Sequence, residues 1–159
     1  MANMEIIGGD DLELQLSRLA QPEMSKRIVR AGANPVADEI RKRLINLPED
    51  KFRKLGKNEV FVGVPKQQKQ DLLDSLGVAP ADIDREGNAN TKIGFQGYGS
   101  YPTKKYPKGV PNPLLARAVE SGSSVRKKTP FVRPAVNSSK DKAIEAMQDE
   151  YNKIISQSQ

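Results

Sequence analysis

The chain has 159 residues with no cysteine, no histidine and no tryptophan, a formal charge of +6 and a mean hydropathy of −0.63. That length suits one domain with a modest core, for which oligomerisation is a natural supplement, and the missing residue types exclude disulfides, thiol chemistry, histidine metal ligands and Ser-His-Asp triads. Lys and Arg outnumber Asp and Glu by 26 to 20, a balance compatible with nucleic acid passing nearby and equally ordinary for a basic protein.

The N-terminus, Met1-Ala-Asn-Met-Glu-Ile-Ile, lacks the basic start and apolar run of a signal peptide, and no stretch approaches the ~20 apolar residues of a membrane span. The expectation is a soluble chain with no membrane partner. Glu5-Ile6-Ile7 reads as a short strand ended by Gly8-Gly9. Asp10 or Asp11 then caps a helix with Leu12, Leu16 and Leu19 on one face. Pro22 opens a second helix that Asn34-Pro35 interrupts, as a kink or as a new helix capped by Asn34. Val36, Ile40, Leu44 and Leu47 continue at helical spacing to Pro48.

Residues 49–58 are charged and read as loop. Val60, Val62 and Val64 alternate with Phe61 and Gly63, which predicts a strand stopped by Pro65. Gln67 to Leu76 reads as helix, residues 79–90 as a polar loop, and Ile93 with Phe95 as a strand. Tyr101 to Pro113, with its prolines, tyrosines and lysines, reads as an extended loop of the long kind that compact domains keep for function. Leu114 to Val119 is a helix or a strand. Each proline in Thr129-Pro130-Phe131-Val132-Arg133-Pro134 holds the residue before it extended, predicting a strand-like piece with Phe131 and Val132 on opposite sides. Ser138 then caps a terminal amphipathic helix whose stripe Ile144, Met147, Tyr151, Ile154 packs on the sheet. The fold expected is α+β: N-terminal helices on a small, mostly antiparallel sheet with a C-terminal amphipathic helix. It forms one domain over residues 1–159 with an extended Pro/Tyr/Lys loop at 99–113.

No constellation supports catalysis. Asp71 and Asp74 are an unremarkable acidic pair. The segment Asp82-Ile-Asp84-Arg-Glu86-Gly87 spaces its oxygens like a calcium loop, but Ile93 stands where the closing Glu is needed and a strand follows. The expectation is no enzyme, no cofactor and no metal. Basic residues concentrate in two places: Lys104, Lys105 and Lys108, interleaved with Tyr98, Tyr101 and Tyr106, and the turn Arg126-Lys127-Lys128. Charge with aromatics is what a single-strand binder uses, so a small basic nucleic-acid-binding accessory protein is the alternative reading.

The last third is the most specific part. An apolar run from Leu114 ends in Val119-Glu120-Ser121-Gly122-Ser123, a basic turn follows, then Thr129-Pro130-Phe131-Val132-Arg133-Pro134-Ala135 and a helix. This order resembles the end of the head–tail joining, or tail-completion, proteins of long-tailed bacteriophages, with their "V-E-x-G-T/S" turn, "P-F-x-R-P-A" segment and terminal helix. Asp71-Leu72-Leu73-Asp74-Ser75-Leu76 is similar to part of a second hallmark, although Lys69-Gln70 stands where that family carries Thr-Gly. The resemblance implies a structural protein of the virion neck or head-proximal tail end (a stopper, connector or tail terminator), assembled in the host cytoplasm. It implies a homo-oligomeric ring of six copies, or else twelve, that joins head to tail and completes the DNA channel. Adjacent neck, adaptor or tail-tube proteins are its implied partners, with transient DNA contact. In that picture Pro130, Phe131, Arg133 and Pro134 hold a last strand against the sheet, and Glu120 and Gly122 form the turn before it, Gly122 at positive φ. The loop residues Tyr101, Lys104, Lys105, Tyr106 and Lys108 are the candidate interface, and Arg126, Lys127 and Lys128 the candidate basic patch.

Overall fold

The computed structural model describes residues 9–157, with side chains from Leu12. The strand expected at residues 5–7 lies outside that range. Five helices and six short strands follow in the order α1 (Gly9–Leu19), α2 (Pro22–Ile45), β1 (Glu49–Asp50), β2 (Val64–Pro65), α3 (Lys66–Ser75), β3 (Leu76–Val78), β4 (Asp82–Ile83), β5 (Ala89–Asn90), β6 (Ile93–Phe95), α4 (Asn112–Ser121) and α5 (Val132–Ser156). The class is α+β, as expected. The strands do not form one sheet: β1–β2 is a parallel pair, and β3–β6 and β4–β5 are separate antiparallel pairs. Among the described residues no helix is long and apolar enough to cross a membrane.

The frame is the antiparallel pair of long helices α2 and α5. Arg27 meets Glu150 at 2.7 Å near one end, and Arg43 reaches Ser138 at 3.2 Å near the other. Small residues let the two approach: Gly32, Ala33 and Ala37 are buried on α2, Ala135 and Ser139 on α5. A Cβ added at Gly32 would lie 2.6 Å from Met147 Cγ, so glycine is what permits the contact there. The terminal helix thus packs on a helix rather than on a sheet. Its inward line holds Met147 and Ile154, but Ile144 is 65% exposed. The same packing carries α2 unbroken through Asn34-Pro35. Proline costs that helix a hydrogen bond, and burial against α5 on the turns either side outweighs the loss. Asp10 and Asp11 fall inside α1, which already begins at Gly9, rather than capping it.

The core gathers Ile40 and Leu44 from α2, Val64, Leu72 and Leu76 from the middle of the chain, Leu115, Ala116 and Val119 from α4, and Phe131 and Ala135 from the start of α5. Fully burying a side chain such as Leu44, Leu72 or Val119 contributes about 1.5–3 kcal/mol. The strand expected over Val60–Val64 is only partly formed. The chain bends at Val62-Gly63, because Gly63 passes so close to Pro48 that a Cβ would lie 2.4 Å from its carbonyl oxygen. The bend shifts the alternation: Phe61 is buried, Val60 and Val62 point outward, and Val64 is inside again. In the expected loop at 79–90, β4 and β5 form a hairpin whose turn is closed by Asp84, which accepts the N–H groups of Glu86 (2.9 Å) and Asn88 (2.8 Å).

One buried cation ties the middle of the chain to the frame. Lys69 on α3 is 7% exposed, and its Nζ donates to the carbonyls of Leu47 (2.7 Å) and Ile45 (3.2 Å) and to Glu49 Oε1 (3.2 Å). These carbonyls lie at and just beyond the C-terminus of α2, where a cation is favoured.

Phe131 has no exposed surface and meets Phe95 edge-on at 6.0 Å. Phe131→Ala should cost about 3–5 kcal/mol of stability, the range for truncating a buried Phe. Denaturant unfolding measures it, and a loss under about half a kilocalorie would contradict the burial described here.

Candidate functional site

The two segments singled out near the C-terminus, Val119–Ser123 and Thr129–Ala135, form one joint. Helix α4 carries Glu120 on its last turn and stops at Gly122, whose φ of 81° favours glycine. The chain turns back, and Thr129 N–H donates to Val119 O at 2.8 Å. Helix α5 then begins at Val132, well before Ser138, so Ser138 is not its N-cap. Its cap is Glu120. Oε2 accepts the N–H groups of Phe131 (2.7 Å) and Val132 (2.8 Å), and Oε1 accepts that of Arg133 (3.0 Å).

A helix leaves its first four N–H groups without internal partners. Here Glu120 takes those of the first three residues, and the fourth is Pro134, which has none to offer. The first internal bond follows at once, from Ala135 N–H to Phe131 O at 3.2 Å. This overturns the expected extended geometry at Arg133 and the expected last strand. The preference imposed by a following proline is weak beside three hydrogen bonds to a carboxylate. Glu120 and Pro134 are therefore complementary parts of one helix start.

Burial is the largest single influence on the Glu120 carboxyl and pushes its pKa up. The N–H groups of Phe131, Arg133 and Val132 and the nearby Arg133 guanidinium together pull it down, and the net position is below the ordinary glutamate value. Arg133 is exposed and lines a shallow cleft with Lys128, Pro130 and Pro134 beside the cap.

The turn Arg126–Lys128 does not form one basic patch. Arg126 is 5% exposed. It donates to Gly63 O (2.9 Å) and Gln68 Oε1 (2.5 Å) and lies 5.2 Å over the Phe61 ring. Burial lowers its pKa, with Asp50 opposing. Lys127 and Lys128 remain exposed. Backbone bonds from Phe61 N–H to Val125 O and from Lys127 N–H to Phe61 O, both 2.9 Å, pair this turn with residue 61. Sequence reasoning gave Arg126 to the surface because its neighbours are lysines. The only hint of its role was Phe61, distant in the chain.

The 99–113 segment is a hairpin with a closed base. Gly99 N–H donates to Val110 O at 2.8 Å, and Ser100 donates through N–H (2.8 Å) and Oγ (2.6 Å) to the Asp71 carboxylate. Gly109, at φ 105°, backs onto Gly99. Pro113 belongs to α4, which begins at Asn112. Tyr101 stacks on Phe52 at 3.9 Å and 1°, and Phe52 on Phe61 at 6.1 Å. Lys105 lies 5.5 Å over the half-buried Tyr106 ring, and Lys104 and Lys108 are exposed at the tip. The structure thus brings Tyr101, through Phe52, to the Phe61–Arg126 cluster. Asp71 and Lys69, anchors of the loop and of α2, were not singled out for these roles by sequence, because both read as polar-face residues of a surface helix.

No family model, no curated protein and no solved structure matches this chain.

The cap carries a pH signature. A carboxyl whose folded pKa is lowered contributes stability that is present above its unfolded value and lost as pH falls through the folded value. Glu120→Gln should destabilise by about 1–3 kcal/mol near neutrality, and the gap from wild type should close in acid. Asp50 and Asp84 are also lowered but are common to both proteins and cancel. Unfolding curves across an acid series test this; a gap that is constant with pH would contradict the ionised cap.

Proposed function

We propose that the chain is a ring-forming structural subunit of the neck or head-proximal tail end of a long-tailed bacteriophage, joining head to tail around the DNA channel. The observation that carries the reading is the order of motifs in Leu114–Ile155. The cap supports it by giving that order a physical reason: the glutamate of the first segment and the proline of the second meet at one helix start. Two segments joined by three hydrogen bonds to one carboxylate suit a subunit whose work is mechanical. The chain works as one of six copies, in the virion, contacting neck or tail-tube neighbours and, through its channel side, DNA.

The hairpin at 99–113 is the element that reaches a neighbour. Its base is fixed by Asp71, so its exposed tip is presented at a set angle and loses little entropy on docking. Nucleic-acid binding by the monomer is the alternative. The exposed Tyr98 and the tip lysines favour it, while Tyr101 is already stacked within the protein.

Loss of the gene should leave filled heads and finished tails unjoined, and purified particles should contain the protein in a multiple of six copies. Deleting the tip, residues 102–108, should leave a folded protein that fails to join them. Joined, infectious particles without the protein would overturn the reading. Tight, steeply salt-dependent binding of the monomer to DNA or RNA would favour the alternative.

A further inference from the structure

Helix α1 is oriented against the usual rule. Amphipathic helices turn their apolar side to the core, yet Leu12 (57%) and Leu16 (57%), one turn apart on the same side, are exposed, while Leu19, Gln15 and Arg18 are half-buried. The face also carries the exposed Glu13, and residues 1–17 hold Glu5, Asp10, Asp11 and Glu13 with no Lys or Arg. An acidic, leucine-bearing segment therefore precedes a body more basic than the whole chain.

A complementary surface exists on the same molecule. Phe61 and Arg126 pair in parallel and both point inward. Side chains alternate along extended segments, so their neighbours Val60 (37%), Val62 (58%), Val125 (51%) and Lys127 face out together. Valines beside Lys127 match leucines beside Glu13 in both apolar character and charge.

These two surfaces cannot meet within one copy. Helix α1 joins the N-terminal end of α2 through Ala20-Gln21, with Ser25 Oγ donating to Leu19 O at 3.2 Å. The valine surface lies beyond the C-terminal end of α2, where Val64 N–H donates to Pro48 O at 2.8 Å. The 24 residues of α2 span about 36 Å, and the 11 of α1 only about 16 Å even if folded straight back.

We propose that α1 of one copy docks, Leu12 and Leu16 inward, on the Val60–Val62–Val125 surface of the next, with Glu13 against Lys127. Two different patches at opposite ends make a heterologous, head-to-tail contact, which closes into a ring or runs into a filament. Closure into a ring rests on the proposed neck function; the pairing of the two surfaces does not.

The test is the solution mass of the purified full chain over a concentration series. Wild type should form oligomers, and Leu12→Asp with Leu16→Asp, or Val62→Asp with Val125→Asp, should weaken them by at least about tenfold in dissociation constant. All four positions are exposed, so thermal unfolding of the monomers should be unchanged. Mixing the two variants should give dimers that grow no further, because one intact pair of surfaces remains. Glu13→Lys should weaken assembly, and Lys127→Glu with it should restore part of the loss. Oligomers that persist in both double variants would overturn this interface and leave the neck reading standing. A wild type that stays monomeric at millimolar concentration would overturn the docking outright. Normal joining by particles that lack the protein would sink the neck reading alone.

Discussion

The carboxylate of Glu120 holds the start of α5, and most of the molecule is arranged around that fact. Helix α5 begins directly after Phe131, a side chain sealed in the core, and runs back along α2 for the length of the domain. Without the cap, the N–H groups of buried Phe131 and half-buried Val132 would lack partners, at a cost of about 1–3 kcal/mol each. Placing the acceptor on α4 rather than on a local Ser or Asp links two helices that are separated by a basic turn. The angle of α5, the depth of Phe131 and the path of the 123–128 turn thus depend on one side chain.

Two other charged residues repeat this device. Lys69 closes the carbonyls at the far end of α2, and Arg126 closes Gly63 O and Gln68 while lying on Phe61. Each joins segments far apart in the chain through main-chain acceptors. A protein with four Phe, no Trp and short, separate strand pairs has little apolar area for such ties. Hydrogen bonds from buried cations to backbone oxygens supply direction as well as energy, because an unpartnered charge at any of these places is expensive.

The same economy bears on assembly. The core is small, and apolar residues that would enlarge it are spent outward: the α1 leucines, the valines around Phe61, and Phe52, which covers Tyr101 at the foot of the 99–113 hairpin. In the proposed assembly these outward residues would be covered by a neighbouring copy. The subunit's rigid parts, the α2–α5 pair and the capped joint, set the positions of its outward surfaces, so small errors in those parts would be copied around any closed assembly.

Much of the local structure was legible in the sequence. Helical spacing located α2 and α3, and the Ile93–Phe95 alternation located β6, whereas Leu114–Val119 read equally as helix or strand. These features depend on contacts within a few residues, which a linear pattern records. The class, α+β, followed from their order. What the sequence left undecided were choices between competing local rules: proline at 35 against helix packing, proline at 134 against a cap, Ser138 against an earlier start. In each case the winner was a group distant in the chain — α5 for Pro35, Glu120 for Pro134 — and no window of neighbouring residues contains it. Burial of Arg126 and Lys69 belongs to the same class, since a cation is buried only where carbonyls from other segments converge. Composition and periodicity determined which elements this chain can form. Tertiary structure decided where they start and which charges lie inside, because the hydrogen-bond partners that settle those questions are brought together only by folding.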